Sequence, residues 1–188
     1  MLRLMYSNPV SLIPFDLAAI RAAVKTLDIA AYTFVDADLV AAVRDRAAAG
    51  VAVRLYLDRT ELQSAARGDP NLTHCPLNAL LNCKNVTVLV KASSILMHMK
   101  SYCVDGTVLR DGSANFSPTG EMPQDNSAWL TDDPACIAAF QAKFLAMWCR
   151  PDNVTVPEAV LTSPAYARTP AHRGQTGFRP FAATDTLT

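Results

Sequence analysis

Apolar positions along this chain change their period several times, and each change marks an element. Leu17, Ile20, Val24 and Leu27 recur at helical spacing and predict a first helix, while the short apolar run "DIAAYTF" predicts a strand after it. Asp36 can cap a second helix carrying Leu39, Val40 and Val43, and Gly50 stands where such a helix stops. "VAVRLYLD" then alternates, with Val51, Val53, Leu55 and Leu57 on one side. Together these form a β-α-β unit, which predicts a parallel strand pair with a right-handed helical crossover.

From Arg59 to Asn85 the periodicity fades into a polar loop, with a short helix at "LNALL". "NVTVLV" is a strand by its β-branched content, and "HMKSYCVDGTVLRDGS" reads as two strands joined at Asp105-Gly106, a strong hairpin signal. "SAWLTD" predicts a further strand. Ile137, Phe140, Phe144 and Met147 predict a closing amphipathic helix from Pro134 to Trp148. The alternation gives an α/β fold with a mixed central sheet between helices. After Arg150 the sequence is Pro-rich without sustained periodicity, so residues 1–150 read as one domain and 151–188 as a tail, mostly extended or disordered.

Composition narrows this picture without directing it. The chain has 188 residues, 51% of them hydrophobic and 18% charged, which is enough for one sizeable core. Its 17 basic and 17 acidic residues cancel, so any polyanionic or membrane partner must be held locally. No apolar run spans a membrane, and the N-terminal stretch lacks the pattern of a signal peptide; this favours the cytoplasm, with the periplasm open if the natural start lies upstream. Cys75, Cys83, Cys103, Cys136 and Cys149 are odd in number and contain no C-x-x-C pair, which argues against a disulfide framework and a zinc cluster.

The chemistry concentrates at residues 98–117, "HMKSYCVDGTVLRDGSANFS". Alternate residues of a strand share a face, so His98 and Lys100 project together, as do Ser113 and Asn115 if that piece is extended. The hairpin brings Gly112 to Asn115 near His98. An imidazole, an ammonium, a hydroxyl and a carboxamide then converge, a set suited to a phosphate ester. Lys100 supplies charge, Ser113 and Asn115 donate hydrogen bonds, and His98 attacks or moves a proton. No metal-ligand spacing accompanies them, and no cofactor motif is present.

His98-x-Lys100-x4-Asp105-x6-Gly112-Ser113-x-Asn115 resembles the H-x-K-x4-D-x6-G-S-x-N motif of the phospholipase D superfamily, and "GSANFS" is similar to the form in its small, single-motif bacterial endonucleases. The likeness runs from about residue 12 to 150. The resemblance implies a phospholipase D-like fold and a metal-independent phosphodiesterase with His98, Lys100 and Asp105 as its catalytic set. It further implies a phosphohistidine intermediate, a second histidine as acid and base, and a homodimer whose two single motifs meet in one composite site. Nucleic acid, DNA or RNA, is the expected substrate. A phospholipid hydrolase or transferase of the cardiolipin type is the alternative, and a silent nucleic-acid-binding relative is a third reading.

The residues taken singly also have plainer readings. Asp105 before Gly106 is explained by turn chemistry, so a mainly structural role is expected of it. Lys91 and Arg59 read as solvated surface charges, and His74 and His172, lacking a lysine two residues on, as incidental. One position departs from the resembled pattern. Where the relatives carry a glutamate that orients the histidine, a gap-free count reaches Asn126, with acidic Asp125 beside it. An amide oxygen can hold a tautomer but cannot stabilise an imidazolium.

Overall fold

The computed structural model describes residues 1–163. Seven strands form one mixed sheet. They are β1 (Leu2–Tyr6), β2 (Thr26–Ala31), β3 (Ala52–Leu57), β4 (Val86–Val90), β5 (Lys100–Val104), β6 (Val108–Gly112) and β7 (Ser127–Thr131), ordered β1-β7-β6-β5-β2-β3-β4. β2, β3 and β4 run parallel, whereas β5, β6, β7 and β1 are added antiparallel.

The two faces of the sheet are covered unequally. Helices α1 (Ile13–Arg21), α2 (Ala37–Ala48), α3 (Arg59–Ala66) and α4 (Asn78–Leu81) pack with Leu27, Ile29, Val53, Leu55 and Tyr102 in the larger core. After α5 (Pro118–Glu121), α6 (Pro134–Trp148) covers the other face through Ile137, Phe140, Phe144 and Met147 on Ala30, Tyr56, Cys103 and Leu109. β2 is therefore buried on both faces, and its Asp28 is matched by Arg54 in a bidentate pair at 2.6 and 2.7 Å. Arg54 also lies over the Phe144 ring at 5.1 Å.

Local chemistry explains the boundaries. Asp36, Asp58 and Asp133 cap α2, α3 and α6 by accepting backbone N–H groups, which satisfies donors a helix start leaves orphaned. Gly50, at φ +99°, turns the chain out of α2 toward β3.

The structure corrects the sequence reading in four places. The first helix stops at Arg21; Val24 is exposed and Leu27 is a buried strand residue, so their helical spacing was a coincidence across a turn. The supposed polar loop after Leu57 contains α3, missed because its inward face is only Leu62 and Ala66 with the aliphatic stem of Arg59. β1 is an edge strand whose residues are mostly exposed, so it carries no burial period. Helix α7 (Val156–Leu161) lies within the segment read as tail and packs on α3 and β4 through Val156 and Ala159. The rest of that tail, 164–188, lies outside the described residues.

Candidate active site

The strand ends set the site. Ala31 pairs with Lys100 and with Leu57, Gly112 with Ala128, and Tyr6 with Ser127, so the ends of β1, β2, β3 and β6 and the starts of β5 and β7 share one edge of the sheet. His98 stands just before β5 and is exposed there. Its backbone is pinned on both sides. The Met97 N–H donates to the Asp58 carboxylate at 2.7 Å, and the Met99 carbonyl accepts from the Tyr32 N–H at 2.7 Å. The imidazole meets the Tyr32 ring edge to face at 4.5 Å and makes no hydrogen bond among the described residues.

Lys100 is buried at 5% exposure, and its Nζ donates to the His98 carbonyl at 2.8 Å. The same ammonium lies over the Tyr32 ring, 4.7 Å from its centre. Burial pushes the Lys100 pKa down to about 8; Glu61, Asp111 and Asp58 act in the opposite direction and Arg110 adds to the depression. The side chain is thus a desolvated cation that gains from any anion placed on it.

The loop after β6 brings the neutral donors to this edge. Gly112 sits at φ +155°, and a Cβ there would lie 2.2 Å from the Ser127 carbonyl, so only glycine fits the crossing onto β7. The Ser127 carbonyl accepts the Ser113 and Ala114 N–H groups. Ser113 Oγ accepts from the Ser127 N–H at 2.9 Å and donates to Asn126 Oδ1 at 3.0 Å. Asn115 is backed by Gly120, where a Cβ would come 2.4 Å from the Asn115 carbonyl, and its own Oδ1 is buried without a partner.

Beneath the loop, Arg110 is fully buried and holds Asp16 through a bidentate pair at 3.0 and 3.1 Å. Its Nη1 donates to the carbonyls of Lys100 at 2.7 Å and Ala114 at 3.2 Å, tying the lysine strand to the Ser113–Asn115 loop. Tyr102 donates to Asp16, and burial pushes the Glu121 carboxyl, 3.8 Å from Arg110, up to about 9. A neutral Glu121 leaves one cation against one anion. This network is structural scaffolding that the sequence reading did not identify.

Three of the expected positions do not meet His98. Asp105, placed in the catalytic set by the motif, closes the hairpin at the far end of β5, roughly 20 Å from His98 at about 3.3 Å per residue. Its carboxylate accepts the N–H groups of Val24, Lys25 and Thr26 at 2.7–2.9 Å, joining the turn to the start of β2. Asn126, expected to orient His98, instead accepts from Ser113 and donates to the Gly120 carbonyl at 3.0 Å, while exposed Asp125 accepts from Asn8. Arg59 is no surface charge either: it is buried and donates to the carbonyls of Ala92 and Thr162.

Tyr32 is the neighbour that sequence reasoning missed. It follows β2, and only the antiparallel pairing of β2 with β5 brings it to His98 and Lys100.

Comparison with known proteins places this geometry. Residues 17–148 match the family profile described as cardiolipin synthase, phospholipase D-like domain. The chain belongs to this family. Within the superfamily, a mitochondrial cardiolipin hydrolase of Chlamydomonas reinhardtii is 26% identical over 144 residues, 76% of this chain and 60% of that protein. A mitochondrial cardiolipin hydrolase of Xenopus tropicalis is 30% identical over 124 residues, 66% of this chain and 55% of that protein. The chain therefore spans little more than half the length of these relatives. Among solved structures, the phospholipase D family member Nuc from Salmonella typhimurium superposes with TM-score 0.69 at 20% identity, covering 82% of this chain and 96% of that one. NucT from Helicobacter pylori gives TM-score 0.68 at 18% identity, covering 82% and 99%. The fold is thus that of the phospholipase D superfamily, with the mixed sheet between helices that the motif implied.

Proposed function

We propose that the protein is a metal-independent phosphodiesterase acting on nucleic acid through a phosphohistidine on His98, as a homodimer with a composite site. The observation that carries this reading is the exposed His98 imidazole set on the carbonyl that anchors the desolvated Lys100 ammonium. A phosphodiester placed there lays its non-bridging oxygens on Lys100, on the Asn115 amide nitrogen and on the Ser113 hydroxyl, whose proton turns to it from Asn126 Oδ1. One His98 ring nitrogen attacks phosphorus, the bond to the leaving oxygen breaks, and that oxygen takes a proton from His98 of the partner subunit. The second imidazole then accepts a proton from water, whose oxygen attacks phosphorus and breaks the P–N bond, restoring both histidines. Within one chain only a single H-x-K pair exists, which is why two copies are needed. The described residues hold no group of three or more His, Cys, Asp or Glu that could bind a metal ion, so charge stabilisation rests on Lys100 and the neutral donors.

The surroundings of His98 support a nucleic-acid substrate. On the β6–β7 side Ser113, Thr119 and Gln124 are exposed, polar and uncharged, as suits a wet polymer backbone. The second reading, a cardiolipin-type hydrolase, is favoured by the names of the relatives and by Ile95 and Leu96, 48% and 47% exposed just before His98. The test is cleavage of single-stranded DNA, duplex DNA, RNA and cardiolipin vesicles by the full chain in chelator. Hydrolysis of a nucleic acid is expected; turnover of cardiolipin alone moves the assignment to the second reading, and activity restored only by a divalent ion refutes the mechanism.

A further inference from the structure

We propose that Tyr32 is the positioning residue of this site, its ring aligning the His98 imidazole through one contact and the Lys100 ammonium through another. The inference rests on the phosphodiesterase reading of His98 and Lys100 and adds to it the group that holds them in register. Three observations converge on it. The Tyr32 ring is 4.5 Å from the imidazole, edge to face, and 4.7 Å from Lys100 Nζ. The amide and carboxylate that should orient His98 are committed elsewhere, Asn126 to Ser113 and the Gly120 carbonyl, Asp125 to Asn8. Tyr32 is itself fixed. Its N–H donates to the Met99 carbonyl, the preceding Ala31 pairs with Lys100, and the following Thr33 donates to Glu61 at 3.0 Å.

Orientation by a ring has a chemical consequence. A hydrogen-bonding orienter occupies one imidazole nitrogen, whereas an edge-to-face contact fixes the plane and leaves both nitrogens free, one to attack phosphorus and the other to carry the proton. The ring face also steadies the Lys100 cation while its bulk keeps water from it. Burial is the largest cause of the depressed Lys100 pKa. The charged groups facing Lys100 are Glu61 on α3, Asp58 at that helix's start, and Asp111 and Arg110 on β6; of these, Glu61 also meets the Tyr32 hydroxyl, a contact that Tyr32→Phe and Tyr32→Leu both remove, so the two variants differ only in the ring.

The experiment compares Tyr32→Leu and Tyr32→Phe with the wild-type full chain, using bis(4-nitrophenyl) phosphate as substrate. Tyr32→Leu is expected to lower kcat on the order of 10²-fold with KM nearly unchanged, because misalignment acts on the attack and not on binding. Tyr32→Phe, which keeps the ring, should recover most of that loss. The alkaline limb of the pH profile, set by loss of the Lys100 ammonium, should shift in Tyr32→Leu, which removes both the ring face that favours the cation and the bulk that shields it from water. A purely structural role would move neither the limb nor the NMR signals of the His98 ring protons, which Tyr32 should displace by its ring current and Tyr32→Leu should release. Wild-type kcat and unshifted His98 resonances in Tyr32→Leu would overturn the proposal, as would a Phe variant as slow as the Leu one. If the wild type turns over no phosphodiester at all, the functional reading has failed, and the resonances alone still decide whether Tyr32 aligns His98.

Discussion

The two ends of β5 carry residues of one motif and are built in opposite ways. At the turn end every group is satisfied: the Asp105 carboxylate takes three backbone N–H groups and knits the hairpin to β2. At the other end groups are left wanting. The His98 imidazole has no hydrogen bond among the described residues, and the Lys100 ammonium, buried, has a backbone carbonyl and a ring face for company rather than a paired anion. Unmet polar demand is unfavourable in a fold, and at an exposed end of the sheet it is demand that a group from outside the chain can meet. The motif thus joins a structural staple to the proposed chemical centre, and the two ends differ in how fully their polar groups are paired.

The sharpest way to break this contrast is at His98. His98→Ala should reduce turnover on the order of 10³-fold or more while leaving stability within about 1.5 kcal/mol, since the side chain is exposed and loses only its ring contact with Tyr32. If the proposed composite site forms, mixing wild-type and His98→Ala chains should yield mixed dimers that are nearly inactive, because that site needs both histidines. Full activity per wild-type chain in such mixtures, or an active monomer in sedimentation, would defeat the composite site.

Lys100 gives the next effect, and its sign can be worked out. Its pKa is about 8 in the fold and returns toward the ordinary lysine range, about 10.4, when unfolded. Between those values the unfolded chain binds more protons, so this group makes stability rise with pH. Activity should fall over the same interval as the ammonium is lost. Opposed trends above pH 8 in kcat/KM and in urea midpoints would mark a functional cation; parallel decline would mark a structural one. Lys100→Met should lower kcat on the order of 10²-fold without loss of stability.

At the turn end the expectation inverts. Asp105→Ala leaves three N–H groups without their acceptor and should cost about 1–3 kcal/mol of stability, with kcat of the folded fraction changed less than about threefold. Burial pushes the Asp105 carboxyl up, but the three N–H donors and nearby Lys25 more than offset it, so its pKa lies below the ordinary carboxylate range. Its stabilisation is therefore present above that range and lost as pH falls through the depressed value. A wild-type melting curve paired with abolished chemistry would make Asp105 a catalytic residue after all.

How far the sequence discloses this arrangement depends on the range of the interactions. The hairpin is legible because Asp105-Gly106 and the flanking alternation are local, and the β-α-β unit because β2 and β3 are buried strips with a capped helix between them. Edge strand β1 is hidden because an exposed edge needs no period. Helices α3 and α7 are hidden because each is short and buries its face against the other, so neither is amphipathic enough alone. Within the site, His98 and Lys100 can be read from spacing, yet Tyr32 becomes a neighbour only through the β2–β5 pairing, and Asp16 meets Arg110 across 94 residues. The gap-free count to Asn126 reached a residue beside Ser113, as strand register dictates, but register does not say whether a side chain turns toward His98.

The smallest expected effect tests that last point. Asp125 is exposed, and its one polar contact is the Asn8 amide, which an asparagine oxygen at position 125 would accept equally well. Asp125→Asn should therefore change kcat by less than about twofold and stability by no more than a few tenths of a kcal/mol. Asn126→Ala, by contrast, removes the acceptor of Ser113 Oγ and the donor to the Gly120 carbonyl, so the Ser113 side chain loses the partner that fixes its position and turnover should slow by roughly tenfold. If Asp125→Asn instead abolishes turnover while Asn126→Ala does nothing, the start of β7 shifts by one residue when the composite site assembles, and Asp125 is the carboxylate that His98 otherwise lacks.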